Sequence, residues 1–321
     1  MYPTVARRFV FALLFFFGIF CLATRSTSAQ PKLKPLNIAL ANHSVTMTAI
    51  YVAKQLGIYE RFGFDARVLV LEPRAALAAM LTGDLDFYSA VGSTTRAALR
   101  GVPVRVGLVA LNRPDFSLVA SKEIATIEQL RGKVVGGYTP QGTVNVVLAE
   151  LLRQKGFRPE DYKVVNAGTA RAAALVSGTV PAALVNSVET VRLVKQGFHV
   201  LIRASDELEI PQSGLGFSMA SLQIKRDVLR PAVQATLEAV RIIASQRDKT
   251  VAVIMKQLAL SQEEGGYVYD ALKGGWSVDG KPTPAAMRLE FELDQRDMAL
   301  RDLPKPEQVY DFSLLEEVSR R

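Results

Sequence analysis

Ala76-Leu77-Ala78-Ala79-Met80-Leu81-Thr82-Gly83-Asp84-Leu85-Asp86 is echoed 95 residues later by Arg171-Ala172-Ala173-Ala174-Leu175-Val176-Ser177-Gly178-Thr179-Val180-Pro181. Each stretch reads as a helix of small residues that stops at a glycine, the residue that closes a helix at least cost, and then enters a strand. The echo extends in both directions. Gly57-Ile58-Tyr59-Glu60-Arg61-Phe62-Gly63-Phe64 corresponds loosely to Arg153-Gln154-Lys155-Gly156-Phe157, and Arg100-Gly101-Val102-Pro103-Val104 to Gln196-Gly197-Phe198-His199-Val200. A period this long marks a duplicated lobe, because solenoid repeats run only about 20–50 residues.

Outward from the repeat, short apolar runs at 36–40, 66–71, 85–90, 104–111, 133–137, 163–166, 182–186 and 199–202 alternate with helical patterns. That alternation predicts βαβ units and largely parallel sheets. Val144, Val147, Leu148, Leu151 and Leu152 fall on a single helical stripe. After about Ser221 the pattern becomes nearly continuous helix, with Val233, Leu237, Val240 and Ala244 in register. The tail from Lys273, punctuated by Gly274, Gly275, Gly280, Pro282, Pro284, Pro304 and Pro306, is expected to be helices joined by turns and packed on the first lobe. No single linker separates the lobes, so the chain is expected to cross between them more than once.

The first 29 residues read as a signal peptide. Arg7 and Arg8 precede an apolar run of 15 residues from Phe9 to Ala23, and Thr27-Ser28-Ala29 supplies the small residues of a cleavage site. The run is shorter than the roughly 20 residues of a membrane span. Removing residues 1–29 lowers the net charge from +8 to +5 and takes away Cys21, the single cysteine. The mature chain then has no disulfide or thiol nucleophile. Phe20 before Cys21 also opposes lipidation, which leaves a soluble exported protein. Its charges alternate in sign, without the clustered Lys/Arg and interleaved aromatics of a nucleic-acid binder.

Several chemistries lack their ingredients. Neither a phosphate-binding Gly-x-x-x-x-Gly-Lys-Ser/Thr nor a Gly-x-Gly-x-x-Gly after a strand is present. His43 and His199 are the two histidines, so no metal site is expected. Gly216-Phe217-Ser218-Met219-Ala220 is weakly like a nucleophile elbow, but no histidine follows it, and a strand crossing between lobes is the alternative. What remains is a set of polar residues just after predicted strands, where parallel sheets hold ligands. They are Asn42-His43-Ser44, the run from Ser89 through Gly92 and Ser93 to Thr94, Asn112-Arg113, Pro140-Gln141-Gly142-Thr143 at a helix start suited to an anion, and Asn186-Ser187. Each has a plainer use. His43 also suits a local hydrogen bond; Ser93 and Thr143 also suit helix caps; Glu189 suits the first-turn dipole; Arg171 suits either an anion or solvent; Tyr138, Phe217 and Trp276 suit either stacking or the core.

With these residues in place, the chain resembles the solute-binding proteins of ABC importers in the nitrate/sulfonate/taurine group, also called SsuA/THI5-like or NMT1. The resemblance runs from about Leu36 to Val318. It is carried by Gly57-Ile58-Tyr59-Glu60 with Gly63-Phe64-Asp65, by Leu81-Thr82-Gly83-Asp84-Leu85-Asp86, by Gly101-Val102-Pro103-Val104, and by Ile127-Glu128-Gln129-Leu130-Arg131-Gly132-Lys133-Val134-Val135-Gly136. It implies a two-lobed α/β fold, the type II periplasmic-binding-protein fold, each lobe a mainly parallel sheet flanked by helices. Lobe 1 would hold 30–115 and 217–321 and lobe 2 116–216, with crossings near 112–120 and 210–221 and a ligand in the interlobe cleft. The implied ligand-binding residues are Asn42, His43, Ser89, Gly92, Ser93, Asn112, Gln141, Gly142, Thr143, Asn186 and Glu189. One departure is Pro181, where the family usually has Asp.

The expected function is capture of a small anionic or polar organic solute in the periplasm and its delivery to permease and ATPase subunits. A monomer is expected, with no cofactor, metal, nucleic acid or reaction. The rivals are a ligand sensor for a membrane receptor and an exported enzyme using Glu189 or Asp86 as base.

Overall fold

The structure, a computed structural model, describes residues 32–138 and 143–319; the expected signal peptide, Gln141 and Gly142 lie outside the described residues. The first half runs β1 (Lys34–Leu40), α1 (Thr48–Gln55), β2 (Phe64–Val70), α2 (Pro73–Thr82), β3 (Phe87–Ala90), α3 (Val91–Leu99) and β4 (Val104–Leu111). The second repeats the plan after one added strand: β5 (Ser117–Ala120), β6 (Val134–Gly137), α4 (Thr143–Gln154), β7 (Lys163–Asn166), α5 (Arg171–Val176), β8 (Ala182–Val185), α6 (Ser187–Lys195) and β9 (His199–Arg203). The chain then returns through β10 (Ser213–Ser218) and ends in α7 (Met219–Ile224), α8 (Arg226–Ser245), α9 (Arg247–Leu258), α10 (Gln262–Leu272), α11 (Pro284–Met298) and α12 (Ser313–Ser319). The repeat has a local cause. α2 and α5 are both followed by a glycine in the left-handed region, Gly83 at φ +84° and Gly178 at φ +74°, where a side chain would be strained.

Two five-stranded sheets result, ordered β2-β1-β3-β10-β4 and β7-β6-β8-β5-β9. The two orders coincide when β5 and β10 exchange roles. In each sheet four strands run the same way, and the one opposed strand is the one that arrives from the other lobe. The two crossings also bond to each other, Ile210 N to Asn112 O at 2.8 Å and Gln212 N to Leu111 O at 2.8 Å. β10 joins the first sheet from Ser213, so the return is complete a few residues before 217.

β10 fits because of its glycines. A Cβ on Gly214 would lie 1.9 Å from Leu108 O, and one on Gly216 2.6 Å from Thr94 Oγ1. The pairing register with β4 slips at the same two places, as is usual where a strand closes tightly on a neighbour.

The stripe of α4, Val144, Val147, Leu148, Leu151 and Leu152, is buried in the second lobe's core. On α8, Val233, Leu237 and Val240 are buried, whereas Ala244 is exposed and Ile243 takes the core position near the helix end. The tail does not stay on the first lobe. α12 buries Leu314 and Leu315 there, but α11 sends Phe291 into a first-lobe cluster and Leu293 into the second-lobe core. Arg296 of α11 donates to Glu150 of α4 at 3.0 Å, and α10 meets α6 through Arg192–Glu264 at 2.7 Å and Lys195–Glu263 at 2.8 Å. Amphipathic patterning shows that these helices have an apolar face but not that the face is shared between two cores.

Because the atom in the way at Gly214 is backbone, Gly214→Ala is expected to cost about 3 kcal/mol in denaturant unfolding. Gly92→Ala, whose Cβ would find its nearest neighbour at 3.6 Å, is expected to change stability by no more than about 0.5 kcal/mol.

Candidate functional site

The carboxyl ends of β1, β3, β6, β7 and β8 lead into one cleft of about 440 Å³ between the lobes. The first lobe supplies Asn42, Ser44, Thr46 and Met47 after β1, and Gly92, Ser93 and Arg96 from the first turns of α3. The second supplies Tyr138 after β6, Thr143 and Val147 of α4, Arg171 at the start of α5, and Asn186 before α6. Asp115, Phe116 and the segment 210–212 come from the crossings, and α11 adds Glu290, Leu293, Asp294 and Asp297. α3 and α6 occupy the same position in the two repeats, so the duplication points two helix N-termini toward the same space, that of α6 capped by Asn186 and Asp115.

Of the residues expected from sequence, Asn42, Gly92, Ser93, Thr143 and Asn186 line this cleft. Four do not. His43 is exposed, its Nδ1 3.5 Å from the Tyr51 hydroxyl. Ser89 is buried within β3 and donates to Met47 Sδ at 3.0 Å, so it supports a cleft residue from behind. Asn112 is buried at the crossing and donates to Lys281 O at 3.2 Å. Glu189 closes a capping box on α6: its carboxylate accepts from Asn186 N at 3.0 Å while Asn186 Oδ1 accepts from Glu189 N at 2.9 Å. Asp86, the other candidate base, is buried and accepts from Asn37 N at 2.9 Å and Lys225 Nζ at 3.0 Å.

Arg171 is buried rather than solvated. Its Nε donates to Leu184 O at 2.7 Å and another N–H to Gly168 O, and the guanidinium lies 5.6 Å from the centre of the Tyr138 ring. Burial lowers its pKa, opposed by the charge of Glu189. Arg96 stretches over Gly92 to reach Asp294 Oδ1 at 3.5 Å.

The carboxylates were the part sequence reading missed. Glu290, Asp294 and Asp297 fall at i, i+4 and i+7, one face of α11, but nothing local showed that this face turns toward the cleft. Glu290 accepts from Thr95 Oγ1 at 2.9 Å and from the Tyr310 hydroxyl, and burial raises its pKa to about 7. Burial raises Asp294 to about 6, and Asp115 to about 6 despite its bonds from Ser187. Such a cleft can desolvate a small polar solute and orient it by hydrogen bonds. Among the described residues no histidine lines it, and no cluster of three or more His, Cys, Asp or Glu could hold a metal ion. Nor is any helix there long and apolar enough to cross a membrane.

The sequence profile of one family, described as NMT1/THI5 like, matches residues 44–249. Curated protein sequences gave no match. Among solved structures, the fold is similar to that of a putative sulfonate ABC transporter periplasmic sulfonate-binding protein, SsuA, from Methylobacillus flagellatus KT, at 16% identity and TM-score 0.71, covering 90% of this chain and 94% of that one. The alkanesulfonate-binding protein SsuA from Xanthomonas axonopodis pv. citri, bound to MOPS, aligns at 17% identity and TM-score 0.65 over 91% of this chain and 99% of that one. The desulfurization enzyme DSZB aligns at 13% identity and TM-score 0.69 over 89% and 99%. These likenesses fix the architecture as the type II periplasmic-binding-protein fold.

Glu290 gives the apo protein a pH signature. Its carboxyl holds a proton up to about pH 7 in the fold but only to about 4.5 when unfolded, so the native state binds more protons between those values. Stability should therefore fall as pH rises through that window. Glu290→Gln removes this titration. In denaturant unfolding at pH 5 and pH 8 the variant is expected to lose less stability than the wild type; an unchanged slope would show that the carboxyl is already ionised at pH 5.

Proposed function

The chain belongs to the NMT1/THI5-like family, and on that premise we propose that it is the solute-binding component of an ABC importer, exported to the periplasm, that captures a small polar organic solute in the interlobe cleft. The observation that carries this reading is the cleft itself, formed where strand ends from both lobes and two repeat-related helix N-termini converge between two crossings. Crossings of this kind let lobes rotate about a hinge, and a ligand that touches both lobes favours the closed state by its additional contacts there. Permease and ATPase subunits are the proposed partners and a monomer the proposed working form. The fold also carries an enzyme, DSZB. Against catalysis by the two candidate bases, Asp86 and Glu189, stands their engagement in structural hydrogen bonds, neither of them lining the cleft.

Thermal unfolding against nitrate, bicarbonate, alkanesulfonates, aminosulfonates, aromatic carboxylates and pyrimidine precursors tests the reading. A ligand at a hundred times its Kd adds about 2.7 kcal/mol, which raises Tm by several degrees. One class is expected to do so and to be recovered unchanged; its conversion during incubation would make the protein an enzyme. Ser93→Ala and Thr143→Ala should each weaken binding about tenfold, the value of one lost hydrogen bond. Wild-type affinity in both would place the ligand elsewhere.

A further inference from the structure

The cleft is not built for a simple anion. Asp115, Glu290, Asp294 and Asp297 face two arginines, and both arginines are already engaged: Arg171 by the carbonyls of Leu184 and Gly168, Arg96 by Asp294. The carboxylates differ in how they are satisfied. Glu290 has a hydroxyl donor on each oxygen, from Thr95 and Tyr310. Asp115 accepts from Ser187 N at 3.2 Å. Asp294 is only 4% exposed, has one long contact from Arg96 at 3.5 Å, and keeps its Oδ2 buried with no hydrogen-bond partner. Asp297 stands one turn further along the same face and is exposed.

A buried carboxylate oxygen without a donor is costly, and native proteins leave few of them. A positively charged N–H donor brought by the ligand removes that cost and balances the excess negative charge of the wall, whereas a bare anion would add to the repulsion. Elsewhere in the lining, Ser93, Thr143, Asn186 and the N-terminus of α3 offer donors to an acceptor or anionic end.

We propose that α11 sets the specificity of the cleft: Asp294, assisted by Asp297, receives a positively charged nitrogen of the ligand, so the solute class is amine- or guanidine-bearing, with an acceptor group at its other end. This rests on the solute-receptor reading above. It also places a specificity-determining residue outside residues 44–249, the part that matches the family.

Calorimetric titration with pairs of equal chain length tests it: 2-aminoethanesulfonate against ethanesulfonate, and β-alanine and 3-guanidinopropionate against propionate. The nitrogen-bearing member of at least one pair is expected to bind at least tenfold more tightly. Asp294→Asn should erase that preference while keeping the wild-type Tm of the ligand-free protein or raising it, and Asp297→Asn, on an exposed side chain that cannot endanger folding, should reduce it. Equal or tighter binding of the unsubstituted anion, or a preference that survives in both variants, overturns the inference and leaves the receptor reading standing. Failure of every compound here and in the panel above to bind the folded wild type overturns the receptor reading, and the inference falls with it.

Discussion

The structure depends on the way each lobe's sheet accepts one opposed strand from the crossing. β10 lies between β3 and β4, and β5 between β8 and β9, so neither sheet is continuous without its crossing strand. This constraint brings the strand ends of both halves to one crevice and holds them there. It also explains the glycines of β10, since the strand must pass within contact distance of the β4 backbone and of Thr94 on α3. A side chain at 214 has no direction in which to yield.

Much of this was legible in the residues. The repeat showed itself because each copy needs a left-handed turn at the same place, and Gly83 and Gly178 are the cheap solution to that need. The eight strand runs predicted all became strands, with no end displaced by more than two residues. β5 was not predicted as a strand, and β10 only as the crossing-strand alternative for 216–220, for opposite reasons. β5 has four residues, all buried, with no alternation to read, and β10 is rich in glycine, which sequence rules count against a strand.

The cleft was legible in part. Residues that follow strands or begin helices can be located by local rules, and five of them line the cavity. What a residue does when it arrives is decided by its neighbours. Ser89 turns inward to Met47, Glu189 turns back to its own helix end, and Asn112 is consumed by the crossing. Arg171 and the acidic face of α11 were hidden because their meaning is tertiary: the same arginine or the same three acids on a solvated helix would be unremarkable. Burial changes them, pushing the carboxyls of Glu290 and Asp294 upward, as it does that of Asp115 at the crossing, and tying a guanidinium to backbone carbonyls.

The unequal continuity of the two sheets bears on the order in which the protein assembles. The second sheet is drawn from one uninterrupted stretch, Ser117 to Arg203, whereas the first waits for β10, because β4 has no other strand beside it. As the chain emerges from its N-terminus, the half that is made first is therefore the half completed last. The later-made lobe can gather around its local contacts while its predecessor still lacks a strand, and long-range closure of this kind is the slow step in folding. Up to residue 218 the nascent first lobe exposes an open gap between β3 and β4, the place where a chaperone or a second chain would find unpaired backbone.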